Sequence, residues 1–256
     1  MDAYLTSLFG LEGRTALVTG GSSGIGRGIA GALAGAGARV LIAARTEATL
    51  EEAVARIRAD GGRADPIRAD LSTRAGAHAL AAAAQQIAEV DILVSSAGIN
   101  LRPPMEELDE QVWDRTMTVN LDAPFLLGQH LAPAMAARGY GRLIHLSSQQ
   151  AHRPFAASGA YGVSKAAVEG LARSQAEAWS GRGVTANALI PGFVPTALNR
   201  RLAADPERVE ALAARTLVGR NGLSEDFAGA AVFLASPASA YVTGQSIAVD
   251  GGFSVH

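Results

Sequence analysis

Seven short runs rich in Val, Ile, Leu and Ala recur along the 256-residue chain, at residues 15–19, 40–44, 65–69, 92–95, 142–147, 185–190 and 246–249. Longer Ala-rich stretches with helical spacing separate them. A brief apolar run bounded by turn residues is what a strand buried on both faces needs, and its alternation with helices builds a parallel sheet covered on each side. The pattern therefore predicts an α/β, doubly wound parallel sheet of seven strands with helices on both faces. Helices are expected to open near Gly24, Glu47, Arg74, Asp109, Gly159 and Ser224, several behind a Ser, Thr or Asp in a capping position. No linker, internal repeat or low-complexity tract interrupts the series, so residues 1–256 are expected to form one domain. The stretch 191–222 is longer than an ordinary βα connection and contains Pro195 and Pro206. It is expected to be a substrate loop or lid.

The first strand runs straight into Thr19-Gly20-Gly21-Ser22-Ser23-Gly24-Ile25-Gly26, and an Ala-rich helix follows. Glycines let the backbone turn sharply and approach a pyrophosphate, whose charge meets free N–H groups and the positive end of the helix dipole. The position of the loop, after the first strand of a βα series, marks the sheet as Rossmann-like. A turn that merely packs strand on helix is the plainer alternative. At the end of the second strand a free ribose 2′-hydroxyl would call for an acid, and the sequence instead offers Arg45. A guanidinium there suits a 2′-phosphate, so NADP(H) is expected in preference to NAD(H). Asp70, after the third strand, reads either as a partner for the adenine edge or as the cap of the next helix.

Composition excludes several classes. The formal net charge is −2 with no long run of one sign, which argues against nucleic acid and against an acidic membrane as partners. The absence of cysteine removes disulfides, thiolate catalysis and cysteine-ligated zinc, and points to a reducing compartment, the cytoplasm. No stretch approaches the length of a membrane helix, the start of the chain has no targeting pattern, and no metal site is expected because His152 has no ligand at a suitable spacing.

Lys165 is the only lysine among 22 basic side chains, and it lies four residues after Tyr161 in Tyr161-Gly162-Val163-Ser164-Lys165. Residues four apart share a helix face. A phenol needs a fixed cation nearby to act as a base at neutral pH. At about 4 Å and an effective dielectric of about 20 that attraction is roughly 4 kcal/mol, at most about 3 pKa units. The spacing thus predicts that Lys165 makes Tyr161 acidic. Ser148, just past the fifth strand, is expected to hold a substrate carbonyl at the same sheet edge, with Ser147 the neighbouring candidate. Asn120 sits where a helix interior disfavours an amide, and is expected to kink the helix and hold water beside Lys165.

With the glycine loop, Asn120, Ser148, Tyr161 and Lys165 in this order, the chain resembles the short-chain dehydrogenase/reductase family over nearly its whole length, and the segment Pro191-Gly192-Phe193-Val194-Pro195-Thr196-Ala197-Leu198, with Gly219-Arg220-Asn221-Gly222 later, resembles the branch of gluconate 5-dehydrogenase and similar sugar-acid reductases. The resemblance implies that Tyr161 is the proton donor or acceptor and that Lys165 binds the ribose. It makes Ser148 the residue that orients the carbonyl and Asn120 the residue that holds a relay water. It implies a cofactor site formed by Gly20, Ser22, Ser23, Gly24, Ile25, Gly26, Arg45, Asp70, Leu71, Ala97, Gly98, Tyr161, Lys165, Pro191, Gly192, Val194 and Thr196. It also implies a homotetramer joined through the helices that start at Asp109 and Gly159. Where the family usually has Asn-Asn-Ala-Gly, this chain has Ser95-Ser96-Ala97-Gly98, which puts a local hydrogen-bond pattern in question.

The expected activity is hydride transfer between NADP(H) and a small-molecule ketone or secondary alcohol, among which sugar acids and polyols are the candidates. Arg102, Gln149, His152, Arg153, Phe193 and Asn199 are the candidate substrate residues, with Arg102 and Arg153 able to hold a carboxylate. The alternative is a non-catalytic dinucleotide sensor or scaffold. An enoyl reductase of related fold would carry its lysine six residues after the tyrosine, where this chain has Ala167.

Overall fold

The computed structural model describes residues 3–256. Its centre is a seven-stranded, all-parallel sheet of β1 (Thr15–Thr19), β2 (Arg39–Ala44), β3 (Arg63–Arg68), β4 (Ile92–Ser95), β5 (Gly141–Leu146), β6 (Val184–Pro191) and β7 (Ser246–Val249). Their spatial order is β3-β2-β1-β4-β5-β6-β7. The chain builds outward from β1, then returns to lay β4 on its other side, so the order reverses between β1 and β4. Ligands of open parallel sheets bind beyond the strand ends at such a reversal.

Helices cover both faces. Among the described residues they are α1 (Ala3–Phe9), α2 (Gly24–Gly35), α3 (Glu47–Ala59), α4 (Arg74–Ile87), α5 (Glu110–Met117), α6 (Ala123–Ala137), α7 (Gly159–Trp179), α8 (Arg200–Ala203), α9 (Pro206–Ala214) and α10 (Ala228–Ala235). Alternate strand residues feed two cores. Val18, Val40, Ile42 and Ile92 pack against Ile29, Leu33, Leu50 and Phe227 on one face, while Leu17, Leu41 and Leu93 pack against Leu80, Leu127 and Leu131 on the other. All seven expected strands are present. β3 starts two residues earlier than expected and accommodates Pro66, which an edge strand tolerates because one side of it pairs with nothing.

The helix expected from Asp109 is capped by the Asp109 carboxylate, which accepts from Val112 N at 2.7 Å, and then passes through a π-helical turn at Thr118–Asp122 before continuing as α6. The stretch 191–222 is not a bare loop, since it holds α8 and α9. No helix among the described residues is long and apolar enough to cross a membrane.

Candidate active site

Two cavities, of about 180 and 500 Å³, lie beyond the carboxyl ends of the central strands and share Gly20, Ser23, Ala97, Gly98 and Ala197. They form one cleft. Its floor is the glycine loop, and the shape of that loop is dictated by contact. Gly20 adopts φ +65°, and a Cβ on it would stand 2.9 Å from the main chain of Ala97; a Cβ on Gly26 would stand 2.4 Å from the Gly20 carbonyl oxygen. Ser23 precedes α2 without a side-chain cap bond, so no side chain occupies the free N–H groups of the first turn. A cradle this close to the main chain and open at a helix N-terminus fits a dinucleotide pyrophosphate.

The larger cavity is lined by Ser22, Arg45, Asp70 and Leu71, all expected, and by Thr46, Thr49, Ser72, Val119 and Arg200, which sequence reasoning missed. The Arg200 guanidinium has no partner among the described residues. Its place in the cleft depends on the fold of 191–222, which no local pattern announces. Asp70 is not the cap of α4, because Thr73 fills that position by accepting from Gly76 N. The Asp70 carboxylate accepts instead from Ser72 N and Oγ at 3.0 and 2.9 Å, and these bonds hold it below its ordinary pKa. It stays ionised and faces the cavity.

The smaller cavity is lined by Ser148, Tyr161, Lys165, Pro191, Gly192, Val194 and Thr196, with Arg102, Gln149, Phe193 and Asn199 from the substrate candidates and Gln150, Phe155, Leu198 and Leu202 in addition. Tyr161 and Lys165 are both buried on the same face of α7. The Lys165 ammonium donates to Leu146 O at 2.7 Å and stands 5.7 Å from the centre of the Tyr161 ring. Burial lowers its pKa to about 8.

The Tyr161 phenol behaves differently from the sequence expectation. Burial raises its pKa, while a hydrogen bond with Ser148 and the field of Arg102 pull it down. Desolvation of the phenolate therefore outweighs the Ser148 bond and the Arg102 charge, and the expected acidifying cation, Lys165, is not among the groups that shift it. Arg102 escaped attention as an electrostatic partner because it is 59 residues away in sequence. Ser148 is the serine of the pair that meets Tyr161, whereas the Ser147 hydroxyl is engaged with Glu169 Oε1 at 2.6 Å.

Asn120 lies in the π-helical turn, and the amide reaches off the helix. Its Oδ1 accepts from Ile99 N at 2.9 Å, and its Nδ2 donates to Ile99 O and to Ser164 Oγ, each at 3.0 Å. The irregularity is thus a wide turn stabilised from the β4 loop and α7, and not a side chain bonded to a local helix carbonyl. A Cβ on Gly98 would stand 3.3 Å from Asn120 Oδ1 and 3.7 Å from Lys165 Nζ, which places both groups against the same glycine. The serines that replace the usual amides leave Ser95 Oγ buried without a partner among the described residues; Thr19 Oγ1 tethers the loop by accepting from Ala97 N at 3.1 Å.

Two substrate candidates fall outside the cleft. His152 Nε2 pairs with buried Glu169, and Arg153 donates to the main-chain carbonyl of His256 at 3.0 Å. Arg102 stays in the cleft. Its Nε donates to Ala157 O at 3.1 Å and its Nη2 to Ala156 O, leaving Nη1 without a partner among the described residues. No cluster of three or more potential metal ligands occurs among the described residues.

A phosphate cradle joined to a phenol, a hydroxyl and an ammonium is the constellation of an oxidoreductase that uses a soluble dinucleotide and exchanges a proton at oxygen. A family model described as enoyl-(acyl carrier protein) reductase matches residues 20–254. The chain belongs to the short-chain dehydrogenase/reductase family. It is 39% identical over 249 residues to the gluconate 5-dehydrogenase of Gluconobacter oxydans (strain 621H), covering 97% of each chain. It is 42% identical over 252 residues to the galactitol 2-dehydrogenase (L-tagatose-forming) of Cereibacter sphaeroides, covering 97% of this chain and 98% of that one. The crystal structure of a gluconate 5-dehydrogenase from Burkholderia cenocepacia J2315, in complex with NADP and tartrate, superposes with a TM-score of 0.92 at 37% identity and covers 98% of this chain and 99% of that chain.

Proposed function

We propose that the protein is an NADP(H)-dependent dehydrogenase of hydroxylated carboxylic acids, acting at a secondary alcohol or the corresponding ketone. The observation that carries this reading is the meeting of Tyr161, Ser148 and the Arg102 guanidinium in one cleft with the glycine loop. When bound, the dinucleotide supplies or accepts the hydride. The glycine loop and the first turn of α2 hold its pyrophosphate, Arg45 takes the 2′-phosphate, Asp70 the adenine edge, and Thr196 closes over Gly24, whose Cβ would lie 3.0 Å from the threonine methyl.

In reduction, Tyr161 gives its proton to the carbonyl oxygen that its own hydroxyl and that of Ser148 polarise; in oxidation, it removes the proton. Lys165 supplies the positive field beside the forming phenolate and binds the ribose, and Asn120 holds the β4 loop and α7 in register around it. The free Nη1 of Arg102 receives the substrate carboxylate, and Gln149 and Asn199 line the same cavity. The tartrate in the Burkholderia cenocepacia relative is a hydroxy acid, which supports this class.

Residues 191–222 act as a lid of a single domain formed by 1–256. Trp113 on α5, Phe125 on α6 and Val163 on α7 are exposed apolar side chains that support assembly of a homotetramer through these helices. The cysteine-free composition supports a cytoplasmic protein.

Arg102→Ala tests the substrate class. It should raise KM for gluconate about tenfold or more while changing KM for galactitol less than twofold. Equal effects on the acid and the neutral polyol would exclude Arg102 as the carboxylate partner.

A further inference from the structure

Glu169 sits one helical turn beyond Lys165 on α7, continuing the stripe that carries Tyr161 and Lys165, and is only 3% exposed. A carboxylate this deep is costly unless its oxygens are bonded. Ser147 Oγ donates to Oε1 at 2.6 Å, and His152 Nε2 faces the two oxygens at 3.1 and 2.9 Å. The same Ser147 hydroxyl lies 3.0 Å from the Lys165 carbonyl oxygen, which brings the strand end against the turn of α7 that bears the lysine.

These two partners bracket residues 148–151. Within that short segment lie Ser148, which meets the Tyr161 hydroxyl, and Gln149 and Gln150, which line the cleft. Gln149 Oε1 is buried and has no hydrogen-bond partner among the described residues. One carboxylate on a rigid 21-residue helix therefore holds both ends of the wall that bears the carbonyl-orienting hydroxyl.

We propose that Glu169 is a positioning residue, which through Ser147 sets the aim of the Ser148 hydroxyl and through His152 sets the substrate-facing wall of Gln149 and Gln150. The two anchors divide the work. The upstream one adjoins the residue that touches the reacting oxygen, and the downstream one governs only substrate contacts. Neither reaches the glycine loop, so the pyrophosphate cradle is independent of both. The inference rests on the cleft being the substrate site described above.

The test compares Ser147→Ala, His152→Ala and Glu169→Gln. It uses gluconate or galactitol oxidation with NADP, titration of NADPH fluorescence, and hydrogen exchange of the main chain. Ser147→Ala should lower kcat about tenfold with KM within twofold, because small displacements of an orienting group act on the transition state. His152→Ala should raise KM about fivefold with kcat within twofold, and Glu169→Gln should combine both changes. His152→Ala should bind NADPH within twofold of the parent, and exchange should rise over 147–158 in Glu169→Gln. His152 is half exposed, and its removal leaves the core intact, so a normal KM in that variant overturns the proposal. So does unchanged exchange over 147–158 in Glu169→Gln. If Tyr161→Phe keeps ordinary turnover, the reading of the cleft fails first; if Tyr161→Phe is inactive and the three variants match the parent, the clamp alone fails.

Discussion

The sole lysine gives direct experimental access to the charge at the centre of the site. Lys165 is 5% exposed, and one carbonyl oxygen, that of Leu146 at 2.7 Å, stands in for the water its ammonium would have outside the fold. Burial lowers its pKa from 10.5 to about 8, a difference of about 3 kcal/mol in favour of the neutral amine. At pH 7 the ammonium form then leads by about ten to one, and at pH 8 the two forms are equal. Protein labelled with carbon-13 at lysine Cε should show a single side-chain signal, whose shift on titration reports this group alone.

The expected midpoint lies near 8, and an ordinary midpoint near 10.5 would refute the claim that desolvation dominates at Lys165. The same shift has a thermodynamic consequence. The folded pKa is below the unfolded one, so the unfolded chain binds more protons between pH 8 and 10.5, and stability rises with pH across that window. Lys165→Met removes the titration. The unfolding temperature of the parent should therefore climb relative to the variant as pH rises from 8 to 10, whereas a parallel pair of curves would contradict the assignment.

Arg45→Ala should weaken NADPH binding about tenfold or more and leave NADH binding within twofold, because only one cofactor carries a 2′-phosphate; calorimetric titration of both measures it. Arg200→Ala should weaken both cofactors together, since Arg200 lines the cavity with Ser22 and Ser23 of the glycine loop. Asp226 accepts from Arg220 Nη1 and Nη2 at 2.6 and 2.7 Å and from Leu223 N, and these bonds lower its pKa to about 2. Its contribution is present above the unfolded value of about 3.8 and disappears as pH falls towards 2, so Asp226→Asn should flatten the acid limb of thermal stability in that interval.

The five central strands, β1, β2, β4, β5 and β6, were legible in the sequence because they are buried on both faces, and a fully buried strand has little choice but a short apolar run. β3 shows where that logic thins. Its first residues, Arg63 and Ala64, pair with Arg39 and Val40 at the sheet edge, where Arg63 is exposed and only some positions, such as Ala64, are buried, so no continuous apolar run marks the strand. The π-helical turn around Asn120 was signalled by a misplaced amide, but its partners, Ile99 and Ser164, come from elements distant in sequence.

That Tyr161 and Lys165 share one helix face was readable through spacing; their electrostatics were not. Helical spacing places Tyr161 beside Lys165 but says nothing of the burial that raises the phenol, or of Arg102 arriving from another loop. His152 and Arg153 were misplaced for a similar reason. The group that claims His152 is Glu169, whose mark in the sequence is an acid among apolar neighbours one turn beyond Lys165.

The proposed mechanism makes Tyr161 the group that exchanges a proton with the substrate oxygen, and Tyr161→Phe isolates that role, because the ring in the cleft is kept and only the hydroxyl is lost. Turnover of gluconate or galactitol, followed at the reduced-nicotinamide absorbance, should fall by about a thousandfold or more, in the range of lost general acid–base catalysis, while NADPH still binds within a few-fold of the parent. Ordinary turnover in that variant would contradict the mechanism.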